Sequence, residues 1–73
     1  MKNKFNSADH VKKLINSLQG DLQEYKEQKD LWSQLMTDSH EDRQFMRDLT
    51  IEIKALQGLI YLNTHALESL QAN

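Results

Sequence analysis

From Val11 onward the apolar residues recur at alternating spacings of four and three: Val11, Ile15, Leu18, Leu22 and Tyr25, then Lys29, Trp32 and Met36. This is a heptad seam, the pattern of a helix that lays one stripe against a neighbour, interrupted once by the polar Lys29. Leu14 and Leu35 widen the stripe on one side, as expected of a helix that touches more than one neighbour. The first helix is expected over residues 8–36, with Asn6 or Ser7 as its N-cap. The polar stretch TDSHED then breaks the pattern and predicts a turn over residues 37–40. Thr37, Asp38 or Ser39 can accept from the free N–H groups that open a second helix, and Glu41 and Asp42 fall where its dipole favours negative charge. That second helix, expected over residues 41–71, repeats the seam through Met46, Leu49, Ile53, Leu56, Ile60, Asn63, Leu67 and Leu70, with Asn63 as its polar interruption.

A connection this short makes its two helices antiparallel neighbours. The expected fold class is all-α: two long antiparallel helices in a coiled-coil-like helical hairpin over residues 8–73, preceded by a flexible basic tail at 1–7 and completing a bundle by oligomerisation. A turn centred near Ser39 sets Trp32 against Phe45, Tyr25 against Ile53, Leu22 against Leu56 and Leu18 against Ile60, with Ile15 approaching Asn63. The echo between INSLQGDL, which begins at Ile15, and IKALQGLI, which begins at Ile53, is the shared patterning of two heptad helices and not a duplication.

Composition narrows the function more than it names one. At 73 residues the chain holds one domain, and a domain this small buries only about 60% of the surface its unfolded form exposes. That excludes a large enzyme with a deep pocket. The chain has no Cys, so it has no disulfide framework, thiolate nucleophile or zinc knuckle, and its lack of Pro with only two Gly leaves little to punctuate strands. A net charge of −2 makes neither nucleic acid nor an anionic membrane the default partner. Lys2 and Lys4 have no apolar run behind them to make a secretory signal, and no window is apolar for the length of a membrane span, so a cytoplasmic chain without a membrane partner is expected.

The C-terminal segment is the most informative. From residue 55 to 73 Glu68 is the only charged side chain, and a helix neutral on nearly every side is usually covered on more than one side. Leu59, Leu62 and Ala66 lie off the main seam and, with Leu67 and Leu70, form the candidate association surface, for another copy or for a larger protein, the alternative being a helix well buried within a self-contained bundle. Lys29 and Asn63 occupy seam positions where a polar residue lowers stability but can set register; Lys29 either simply snorkels to water over its apolar stem or selects the pairing through an ion pair with Asp48 or Glu52. Gly20 and Gly58 face away from the seam and are either tolerated or admit a third helix. Tyr25, Trp32 and Phe45 read as core aromatics near the turn, and Phe5 stands apart, either stapling the first helix or inserting into a partner.

Chemistry of other kinds has thin support. His10, His40 and His65 have no metal-ligand spacing and no evident dyad, and phosphate loops, nucleophile elbows and paired catalytic carboxylates are missing, so no enzyme, metal or cofactor is expected. Lys2, Lys4, Lys12 and Lys13 form a modest basic patch that acidic residues cut short along the first helix. They are the residues a nucleic-acid-binding dimer would use.

In its helix–turn–helix layout and heptad seams the chain resembles the ROP-type hairpins of plasmid copy control, in which two hairpins pair into a four-helix bundle and one face binds RNA. The resemblance covers layout alone, and without a continuous basic helix face RNA binding does not carry over. As a short helical chain free of Pro and Cys and rich in Gln and Asn, it is similar in character to the small accessory proteins of tailed bacteriophages. The expected function is a non-enzymatic interaction module that self-associates or docks on a larger protein to scaffold or regulate it, with a dimeric nucleic-acid-binding regulator as the alternative.

Overall fold

The computed structural model describes residues 7–72. The chain is an all-α hairpin of two helices, α1 (Ser7–Leu35) and α2 (His40–Ala72), packed against each other along their length. Lys2, Lys4, Phe5 and Asn6, which the sequence assigns to the basic tail and the first cap, lie outside the described residues. The structure ends α1 at Leu35 and admits His40 to α2, so the turn is the four-residue stretch from Met36 to Ser39.

The turn closes through side chains. Met36 still donates its amide to the Trp32 carbonyl at 2.7 Å, a last α-helical bond beyond the regular run. The Ser39 hydroxyl accepts from the Asp42 amide at 3.1 Å, which makes Ser39 the N-cap of α2. The Asp42 carboxylate reaches back to the Thr37 amide at 2.7 Å and the Thr37 hydroxyl at 2.9 Å. No described residue has a positive φ. The hairpin therefore turns without the left-handed glycine that ends many helices.

The seam is where the spacing puts it. The buried side chains are Ile15, Leu49, Ile53 and Leu56, at 5–9% exposure. The half-buried residues Val11, Leu18, Leu22, Tyr25, Lys29, Met36, Met46, Ile60, Asn63 and Leu67 continue the same two stripes. Trp32 and Phe45 meet edge to face with ring centroids 5.1 Å apart, which fixes the register at the turn end as expected. Both rings are 39% exposed, so they cap the seam and are not enclosed by it. Two helices shield only one side of each other, and a ring at the rim has water on the rest. For the same reason no large side chain among the described residues is fully enclosed. The result is a rod of 60 × 16 × 14 Å.

Candidate functional site

The structure divides the five expected association residues. Leu67 is half-buried in the hairpin seam, and Leu70 lies on the same stripe at its open end, 43% exposed. Leu59 and Leu62 point elsewhere, 47% and 63% exposed, with Ala66 exposed beside them. When the hairpin seam is labelled a and d, these three fall at positions g and c, as does the exposed Ala55. Ala55, Leu59, Leu62 and Ala66 thus form a second heptad seam on α2, roughly 110° around the helix from the first at 100° per residue. Leu59 and Leu62 were legible in the sequence as off-seam residues. Ala55 was missed, because an alanine adds too little hydrophobicity to mark a stripe unless the exposed leucines around it are seen.

The same labelling sorts the charges. In an antiparallel pair the g positions of both helices border one face of the hairpin and the e positions border the other. Positions c and g hold Asp21, Glu24, Glu41, Asp48 and Glu52 and no Lys or Arg, with His10 at c near the open end. Positions e hold Lys12, Lys26 and Arg43 and no acid, while at b Arg47 and Lys54 are mixed with Asp9, Asp30 and Glu68. Lys12 and Lys13 are both exposed, but Lys13 lies on a different helix position from the e row. Other apolar side chains on the c and g face are Leu14, Leu31, Leu35 and Phe45, all exposed. Along the rod this face is therefore apolar at the turn, acidic in the middle and apolar again over the second seam.

The two polar seam residues satisfy themselves locally. The Asn63 amide donates to the Leu59 carbonyl of its own helix at 2.8 Å, so it asks nothing of α1 across the seam. Lys29 is half-buried and makes no ion pair with Asp48 or Glu52 among the described residues, which leaves its ammonium to reach water over an apolar stem. At Gly20 and Gly58 an added Cβ would meet nothing within 4 Å, so nothing within the hairpin itself requires glycine at either place.

The histidines are not gathered. His65 lies edge to face on Tyr61, centroids 4.4 Å apart, and its Nδ1 is 3.5 Å from a Glu68 oxygen. Tyr61, His65 and Glu68 sit on one exposed face of α2, at spacings that helical geometry alone brings together. Among the described residues no group of three or more His, Cys, Asp or Glu is placed to hold a metal ion. A shallow depression beside Glu24, Glu27, Gln28 and Leu31 is open to solvent and lined by α1 alone. No helix of the described residues is long and apolar enough to cross a membrane. No protein-family model, curated protein or solved structure matches the chain.

Proposed function

We propose that this chain is a non-enzymatic association module whose working surface is the outer seam of α2, through which it joins another copy of itself or a larger protein. The observation that carries this reading is the row Ala55, Leu59, Leu62 and Ala66: a heptad seam, uncharged and exposed, on a helix whose first seam is already occupied. A helix gains nothing in the isolated hairpin from a second apolar stripe, since exposed leucine contributes no burial. The stripe has a use only when a further helix lies along it. Scaffolding or regulation of a partner would follow from what the rod holds at its two ends.

Replacing Leu59 and Leu62 with Glu tests it. Both positions face solvent in the hairpin, so the helical circular dichroism signal should persist while the association state, measured by light scattering, falls. An unchanged association state in the well-folded double variant would remove this surface from consideration.

A further inference from the structure

The seam on α2 has a symmetry that singles out its occupant. Read from either end, Ala55, Leu59, Leu62 and Ala66 give the same order of small, large, large and small residues at spacings of four, three and four. A stripe of that kind is complementary to itself when two copies run antiparallel: Ala55 faces the partner's Ala66 and Leu59 faces the partner's Leu62, each g position against a c position, as in any antiparallel heptad layer. A two-fold axis needs this self-complementarity, because each subunit presents the same patch. Small residues at both ends let the backbones approach, and the leucines fill the centre.

Electrostatics decides between the two ways of stacking the hairpins. With both turns at the same end, Asp21, Glu24, Asp48 and Glu52 would each face the acidic band of the other copy, with no Lys or Arg on that face to relieve them. With the turns at opposite ends and the copies centred between Leu59 and Leu62, Glu52 meets the partner's α2 near its Ser69, where Glu68 stands at b and off the shared face, and Asp48 falls at the edge of the overlap.

We infer that the occupant of the α2 seam is a second copy of this chain, related by a two-fold axis that sets the two α2 helices antiparallel with their turns at opposite ends of the dimer. The inference rests on the association reading above and gives it a partner and a geometry. The turn ends, with Leu31, Leu35, Trp32 and Phe45 exposed, then project beyond the overlap on both sides.

The absence of cysteine from the chain makes the test clean. Ala55→Cys and Ala66→Cys are made as separate variants, checked for helicity and mass, and oxidised alone and as an equal mixture. The expected result is a mass of twice 8.6 kDa by light scattering, with a disulfide-linked dimer that forms in the mixture and is largely absent from either variant alone. Efficient cross-linking of each variant with itself would overturn the antiparallel arrangement while leaving association through α2 intact. A helical monomer that captures a different protein only when Leu59 and Leu62 are present would overturn the self-association and leave the association reading standing. A helical monomer that binds nothing through these leucines would overturn both.

Discussion

Asp42 takes hydrogen bonds from the amide and the hydroxyl of Thr37, and its own amide donates to Ser39, so one residue ties the end of the turn to the start of α2. The Thr37 hydroxyl, followed by the Thr37 amide, holds the Asp42 carboxyl below its ordinary value of 3.8, with desolvation opposing them and the Ser39 hydroxyl adding the smallest lowering effect. A carboxyl whose folded pKa is depressed stabilises the fold above its unfolded pKa and loses that contribution as pH falls through the folded value. Asp42→Asn should therefore lower the urea midpoint at pH 7, and the gap between variant and parent should close as pH is taken below 3.8. A gap that stays constant down to strongly acid pH would show that the carboxylate's charge is not what Thr37 responds to. The Arg43 to Asp38 pair alongside, at 3.7 Å with both side chains largely exposed, contributes little and should be lost in high salt. The cap itself was legible in the string TDSHED. The partnership of Thr37 with Asp42 was not, because it depends on the turn folding back over five residues.

At the scale of the helix, the heptad spacing was enough to place both stripes, since period and burial are two views of one geometry. What spacing could not show was which deviations from ideal helix chemistry have a cause. Gly20 is one that has none within the hairpin: an added methyl meets no atom within 4 Å, and glycine in a helix interior costs about 1 kcal/mol against alanine. Gly20→Ala should raise the unfolding free energy by about 1 kcal/mol in denaturant melts. A loss of stability instead would mean that another chain lies against that face of α1. The aromatic cluster teaches the reverse lesson. Trp32 and Phe45 pair as their positions suggest, yet both stay partly exposed, because a two-helix element has no third wall to close over a rim.

The whole molecule is more extended than its length requires. A compact domain of 73 residues has a radius of gyration of about 11 Å, and this rod has 16.9 Å. Small single-core chains stand close to the edge of stability, and those lacking disulfides or metals often depend on assembly for the remainder. For a dimer that unfolds to separate chains, stability depends on concentration, each tenfold increase in protein adding about 1.4 kcal/mol per dimer by mass action. The thermal midpoint should accordingly rise across a hundredfold range of protein concentration in calorimetry. A midpoint that does not move with concentration would show that the hairpin is stable alone.

The order of apolar and polar residues by itself determined two helices, their shared seam and the capped turn between them, since each follows from local geometry and a short connection. It also marked Leu59 and Leu62 as displaced from that seam. Only the tertiary structure decided that Leu67 is half-buried in the seam while Leu70 stays 43% exposed at its open end, that Asn63 bonds to its own helix and not across to α1, and that Ala55 completes an outer row facing water. A sequence fixes the angle of each side chain around its own helix. Which angles are covered depends on where the neighbouring helix lies, and that is settled only when the two helices pack.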